Sequence, residues 1–395
     1  MSFFVSYNCI FYKNFTRFLT HKAIVICIFS DNMRDMRILR YILLPVSVVL
    51  FLIISISMAS GNNEIILTGS GATFPYPLYS HWINTFTGDQ SVRITYQPTG
   101  SGQGIRDFLN RNNDFAGSDI FLTESEIESL EDVVHIPTCL GAVVIITNLP
   151  GNPRLKLTPD LIEGIFLGEI SNWSDRRIRR MNEAVNLPEL EIAVVHRSDG
   201  SGTTSIFTDY LSKVSKSWSA HVGAGKKVRW PTGMGISGNS GVSALVEKIP
   251  GAIGYVSLNY SRSEQLIPAL IQNRSGNFIE PTVQSVQSAA RIDLPDHMRI
   301  LLTNTDAPTG YPISTFSYIL VYREQAYGRR DTENARILAD FLSWIIHEGQ
   351  SYNADLLYGP LPAEAVTKAE QAIQSLRYNN KPLSNNTESE IQSEN

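Results

Sequence analysis

His196-Arg-Ser-Asp-Gly-Ser-Gly-Thr-Thr204 lies between an apolar run, Ile192–His196, and a stretch of helical character, Thr204–Lys213. A short β-branched run that ends in Gly and Ser and leads into a 3.6-period segment predicts strand, tight loop and helix. Gly lets the backbone turn sharply, Ser and Thr offer hydroxyls, and the following helix presents first-turn N–H groups without intrahelical partners. Such a helix start attracts anions, with about 0.3–1 kcal/mol of dipole attraction at each end. Arg197 comes directly off the strand, at the loop where α/β proteins place ligands. Its planar fork matches oxyanions, and Asp199 is placed to hold it.

Two further segments repeat this design: Thr68-Gly-Ser-Gly-Ala-Thr-Phe-Pro-Tyr-Pro77 and Thr99-Gly-Ser-Gly-Gln-Gly104. Any one of the three reads equally well as an ordinary N-cap and turn; three in one chain point to a shared site. Strands are expected at Ile65–Thr68, Val92–Gln97, Asp114–Ala116, Ala142–Thr147, Ile192–His196, Ala252–Ser257 and Ser317–Tyr322. Helices are expected at Pro77–Phe86, Gly104–Asn110, Glu124–Leu130, Pro159–Leu167, Thr204–Lys213, Ser240–Lys248, Thr332–Glu348 and Ala363–Arg377. This alternation makes the chain an α/β protein with mostly parallel sheets.

Asp114-Phe-Ala-Gly-Ser-Asp119 ends a strand on a carboxylate. An Asp facing an anion is repulsive unless the anion carries a proton to donate. Protonated phosphate does; sulfate would leave two acceptors face to face, and selectivity arises from such a mismatch. Gly233-Met-Gly-Ile-Ser-Gly238 matches G-x-G-x-x-G, but no ribose-binding carboxylate follows at the right distance, and it reads as a flexible loop. There is no G-x-x-x-x-G-K-[ST], no G-x-S-x-G and no H-x-x-x-H, so P-loop, hydrolase-elbow and zinc chemistry have no sequence support.

Charge is distributed unevenly along the 395 residues. Residues 1–60 carry six Lys/Arg against two Asp/Glu, which leaves 27 basic and 36 acidic residues beyond them and a body of net −9. That balance argues against a nucleic-acid partner. Arg34, Arg37 and Arg40 precede the apolar run 42–56, which ends in Ser57-Met-Ala59: the order of a secretory signal, with cleavage expected after Ala59 and an uncleaved anchor as the alternative. Met33 or Met36 would each begin a well-formed signal, so the true start is expected at one of them with 1–32 not part of the protein; a long n-region or second anchor is the other reading. Beyond the leader, Cys139 is the one remaining cysteine, expected as a small buried side chain. Residues 381–395 are polar and expected as a flexible tail.

Gly71-Ala-Thr-Phe-Pro75, Gly100-Ser-Gly-Gln-Gly104, Gly117-Ser-Asp119 and Arg197-Ser-Asp-Gly-Ser-Gly-Thr203 occur in the order and spacing of the PstS family, which the chain resembles. Those are the phosphate-binding proteins of Pst-type ABC transporters. Gly164-Ile-Phe-Leu-Gly-Glu-Ile-Ser-Asn-Trp173, Pro250-Gly-Ala-Ile-Gly-Tyr255, Tyr311-Pro-Ile-Ser314 and Lys381-Pro-Leu383 extend the resemblance over about Ile66 to Leu383. It implies a two-lobed periplasmic-binding-protein fold (type II), with mixed sheets flanked by helices and two crossover hinges near Leu140 and Pro312. Lobe I would then be 61–140 with 313–380, and lobe II 141–312.

The resemblance implies phosphate contacts from Thr73, from the Phe74 N–H, and from Ser101, Asp119, Arg197, Ser201, Gly202 and Thr203, with Asp199 orienting Arg197. Asp119 would accept the ligand's proton, and Trp173 and Tyr255 would be packing residues. It implies no catalytic residue, cofactor or metal, and a periplasmic or exported monomer that delivers phosphate to a permease and its ATPase. Two departures are small: one fewer hydroxyl follows Ser101, and His196 stands before Arg197. The rival readings are a receptor for another tetrahedral oxyanion and an exported phosphate-ester hydrolase using Ser201 with His196 as base.

Overall fold

The computed structural model describes residues 65–88, 92–128, 132–261 and 266–383. The expected leader, with its cleavage point at Ala59, lies outside them. Each Gly- and Ser-rich loop does join a strand to a helix. β1 (Ile65–Gly71) leads to α1 (Tyr76–Thr87), β2 (Val92–Gln97) to α2 (Ser101–Leu109), and β3 (Phe115–Ser118) ends at Asp119. After β4 (Val133–Thr147) and α3 (Pro159–Phe166), β5 (Ala193–Arg197) leads to α4 (Gly202–Val214) and β6 (Met234–Ile236) to α5 (Gly238–Lys248). β7 (Ala252–Ser257), α6 (Val283–Ala289), β8 (Ile313–Tyr322), α7 (Thr332–Ile346) and α8 (Ala363–Gln374) complete the main elements.

The main sheet has nine strands: eight in the path β2-β1-β3-β8-β4-β7-β5-β6, and Leu302–Thr303 added against β8. Its two outer parts are parallel: β1 pairs with β2 and β3, and β5 pairs with β6 and β7. The centre is antiparallel, where β8 lies between β3 and β4, and β4 runs against β7. The expectation of mostly parallel sheets therefore holds for the flanks and fails at the middle. It fails because βαβ alternation was legible on either side, while the central strands are reached by longer excursions.

β4 is the element the sequence concealed. Ala142–Thr147 was expected, and the strand in fact begins at Val133, with every residue from Val134 onward buried. Pro137 and Gly141 interrupt its first half and read as strand breakers. Residues up to Ala142 pair with β8, and Val143–Thr147 pair with β7, so one strand passes from the first half of the sheet to the second. Cys139 sits in this strand, buried and free.

Helices close over both halves by their apolar stripes. α7 buries Ala335, Leu338, Phe341, Leu342, Ile345 and Ile346, the i, i+3, i+4 set of one face. Asp331 caps it, accepting from Asn334 N at 2.8 Å. Each buried Leu, Ile or Phe contributes about 1.5–3 kcal/mol over leaving it exposed. α2 lies hard against β1 because Gly104 has no side chain: a Cβ there would run into Gly71 Cα, and this brings the start of α2 to the sheet's end.

Two segments differ from expectation. Gly233–Gly238 is no flexible loop: Met234–Ile236 forms edge strand β6 in register with Val195–Arg197, and Gly238 opens α5 at φ +77°. Lys381–Leu383, expected in a free tail, is ordered against the body. Lys381–Pro382 pairs with Arg377–Tyr378, and Leu383 is buried, its N–H bonded to Leu376 O at 3.1 Å. Among the described residues no helix is long and apolar enough to cross a membrane.

His135 on β4 anchors the segment that follows Asp119, accepting from Leu122 N through Nε2 at 3.0 Å. Burial, then the nearby Arg299 and His297, push its pKa down to about 3. An unfolded histidine titrates near 6.5, so between these values the unfolded chain binds more protons and stability falls as pH drops. We expect His135→Gln to lose less stability than the parent on acidification from about pH 7 to 4 in urea titrations. Parallel curves would mean His135 does not govern the acid limb.

Candidate functional site

The loops after β1, β2, β3 and β5 and the start of α5 meet at one place. Gly102 N donates to Gly200 O at 2.8 Å, joining the second and third loops backbone to backbone. Thr73, Phe74, Ser101, Asp119, Arg197, Ser201 and Thr203 are all buried there, Asp119 at 1% and Arg197 at 3% exposure. Gly202 is pinned by its surroundings, since a Cβ would lie 2.5 Å from Ser101 Oγ and 2.6 Å from Asp119 Oδ2. Every residue expected to contact phosphate is therefore in this cluster, with Asp199 at its edge.

Arg197 is the cation of the cluster. Its Nε donates to Asp199 Oδ1 at 2.7 Å and its Nη2 to Asp199 Oδ2, a bidentate pair, while Nη1 lies 3.4 Å from Thr203 Oγ1. Burial works to raise the Asp199 pKa, but the Arg197 bonds and the Gly238 N–H at 3.2 Å hold it below the ordinary carboxylate range. Tyr255 does more than pack: its hydroxyl accepts from Arg197 N at 3.1 Å and is bonded to Thr204 Oγ1 at 2.6 Å. Its ring stacks on Phe207 at 4.5 Å. Trp173 is a packing residue, its Nε1 bonded to Gly251 O at 2.9 Å.

Asp119 behaves in the opposite sense. Burial drives its carboxyl up to about 7, against the Ser317 hydroxyl, the charge of Arg197 and the Ser101 hydroxyl, which all favour the ionised form. Ser317 Oγ donates to Oδ1 at 3.0 Å, and Ser101 Oγ lies 3.4 Å from Oδ2. The helix starts around it present N–H donors. Ser201 caps α4 by accepting from Thr204 N at 3.0 Å, and the first-turn N–H groups of Gly202 and Thr203 have no intrahelical acceptor. Phe74 places its ring in the core beside Gly141, and its carbonyl accepts from Tyr358 at 2.6 Å, so any role in the site falls to its N–H.

His196 and Ser201 are not joined as a base and nucleophile. The imidazole stacks on Trp230 at 4.8 Å and its Nδ1 contacts Arg197 O at 3.1 Å, while the Ser201 hydroxyl is engaged as a helix cap.

Residues 58–348 match the PBP superfamily domain. The phosphate-binding protein PstS of Pasteurella multocida is 38% identical over 307 residues, covering 76% of this chain and 88% of that protein. The PstS of Methanocaldococcus jannaschii is 37% identical over 316 residues, covering 73% and 81%. The chain belongs to the PstS family. The fold of this PstS-family chain is that of two-lobed phosphate-binding proteins. A high-affinity periplasmic phosphate-binding protein solved with phosphate matches at TM-score 0.62 and 21% identity, over 78% of this chain and 93% of that one. The phosphate-binding protein from Stenotrophomonas maltophilia matches at 0.60 and 20%, over 78% and 94%.

Three participants in the PstS-type cluster were not found from sequence. Asn239, fully buried at the start of α5, bonds to Thr73 and Thr203. Ser317 reaches Asp119 from β8, and Tyr260 bonds to Thr73 O at 2.8 Å. Asn239 follows a Gly in Ser237-Gly-Asn239, a polar helix start like the other three, and that was the available signal.

Because Arg197 is sealed from water, removing its counter-ion leaves a buried charge uncompensated. Asp199→Ala should destabilise the fold by about 3 kcal/mol in urea unfolding, in line with breaking one partner of a buried pair. A loss below about 1 kcal/mol, the range of an exposed pair, would mean that solvent reaches the guanidinium.

Proposed function

We propose that this chain is an extracytoplasmic receptor that captures inorganic phosphate between two lobes and delivers it to an ABC permease and its ATPase. The observation that carries this reading is the pairing of one buried guanidinium with one buried carboxylate among helix starts and hydroxyls. Phosphate would be held by the Thr73 hydroxyl, the Phe74 N–H and Ser101 on one side. Arg197, Ser201, Gly202 and Thr203 would hold it on the other, with Asp119 accepting its proton. Asp199 would keep Arg197 in place. The lobes would be 61–140 with 313–380, and 141–312. The partner change of β4 near Leu140 and the start of β8 after Pro312 support hinges at those points. In this reading the receptor acts as an exported monomer, brought out by the segment before Ala59.

Selectivity follows from hydrogen-bond bookkeeping. Around the ligand nearly every protein group would donate, which suits any oxyanion; Asp119 would accept, which suits one that still carries a proton. Its ionised form is needed for that acceptance, and burial places its titration at about 7. As pH falls below that value the carboxyl becomes a donor, and exclusion of sulfate should weaken. The oxyanion rival thus makes a different forecast, since a sulfate receptor would gain nothing from the carboxylate.

Isothermal calorimetry tests both parts. Phosphate should bind the parent protein, with sulfate excluded at about pH 8 and gaining affinity toward about pH 5.5 as Asp119 takes up its proton. In Asp119→Asn, discrimination between the two ions should shrink and its pH dependence flatten. Unchanged sulfate exclusion in that variant would defeat the proton-acceptor argument. Arg197→Ala should weaken phosphate binding by several kcal/mol, given about 1.5–3 kcal/mol for each charge-assisted bond lost. Near-parental affinity would remove Arg197 from the site.

A further inference from the structure

Asn239 stands at the centre of the cluster without being one of the ligand groups named above. Its Oδ1 accepts from Ser257 N at 3.1 Å, which fixes which end of the amide faces which way: a backbone N–H demands the carbonyl oxygen. The amide nitrogen is thereby turned to two hydroxyls, Thr73 Oγ1 at 2.8 Å and Thr203 Oγ1 at 3.1 Å. One NH2 group serves a threonine from the loop after β1 and another from the start of α4. Thr203 Oγ1 also lies 3.4 Å from Asn239 Oδ1, whose second lone pair accepts the threonine's proton.

A hydroxyl has two acceptor lone pairs and one proton. Thr73 Oγ1 also receives Asn239 N at 3.3 Å, and Thr203 Oγ1 also lies 3.4 Å from Arg197 Nη1. Both lone pairs of Thr73 Oγ1 are therefore met by N–H donors, and its O–H proton has to point elsewhere. We infer that Asn239 is a positioning residue that forces the Thr73 hydroxyl to act as a donor toward the bound oxyanion. This rests on the phosphate-receptor reading and deepens it. With Thr73 committed to donating, the ligand's own proton is left to Asp119, so selectivity for a protonated anion is built by the amide as well as by the carboxylate.

The test is a double-mutant cycle read by phosphate calorimetry on the whole exported chain, with Asn239→Leu, Thr73→Val and their combination. The parent titration comes first: if it shows no phosphate binding, the receptor reading fails whatever Asn239 does. Given binding, Asn239→Leu should lose roughly ten- to a hundredfold in affinity, the scale of one or two hydrogen bonds. Thr73→Val should cost roughly tenfold alone and less than about threefold in the Asn239→Leu background. The Asn239→Leu loss should also be smaller at about pH 5.5 than at about pH 8, because dihydrogen phosphate brings a second proton that a freed hydroxyl accepts. Additive effects with a pH-independent loss would overturn the assignment and make Asn239 a packing residue. Should Asn239→Leu fail to fold, as judged by thermal unfolding, Asn239→Ser carries the same cycle with no excess volume.

Discussion

A guanidinium buried in a protein whose body is strongly acidic is the constraint around which the site is organised. Arg197 has almost no contact with water, and a charge so placed has to be met by an opposite one with well-aligned bonds. Asp199 meets it from one side in a bidentate pair, which leaves the local charge close to balanced. Attraction for an anion then cannot come from the overall field, which has the wrong sign. In the proposed receptor it would come from short-range dipoles: the starts of α1, α2, α4 and α5, and the hydroxyls between them. Such groups act over a few ångströms and are little affected by the charge of the distant surface.

The central antiparallel strands determine how these groups come together. β8 and β4 lie side by side through the middle of the sheet, and β4 continues into the second half. The parallel flanks direct their C-terminal ends at the same point from the two halves, which is why loops more than a hundred residues apart in sequence share one cluster. Small residues permit the last approach. Gly104 lets α2 lie on β1, and Gly202 sits against Ser101 and Asp119, so both are positions where even one methyl group would separate what the fold brings together.

Much of this was legible in the chain. β2 and β7 begin and end where their bounding Gly, Pro, Asn and Ser residues place them, because both are short β-branched runs set off by turn formers. The three loops and Arg197 declared themselves by their residue types. What escaped was whatever depended on partners distant in sequence. Val133–Gly141 contains Pro137 and Gly141, and its strand character comes from the pairing with β8, which no local pattern carries. Met234–Ile236 is a strand only because β5 lies beside it. Asn239 takes its meaning from Thr73 and Thr203, which lie 166 and 36 residues away. Lys381–Leu383 looked like tail because its order is supplied by Arg377–Tyr378 and Leu376.

Several bonds run directly between the segments proposed as the two lobes. Gly102 to Gly200, Asn239 to Thr73, Tyr260 to Thr73 and Lys226 to Glu126 are all made by the protein alone. In a receptor that opens and shuts, such bonds set how often the empty molecule is already shut, and apparent affinity scales with that fraction. Affinity is then adjustable from outside the cage. A lineage living with scarce or abundant nutrient could retune capture and release by strengthening or loosening Lys226–Glu126, a partly exposed pair at the rim, while every group that touches the ion stays as it is.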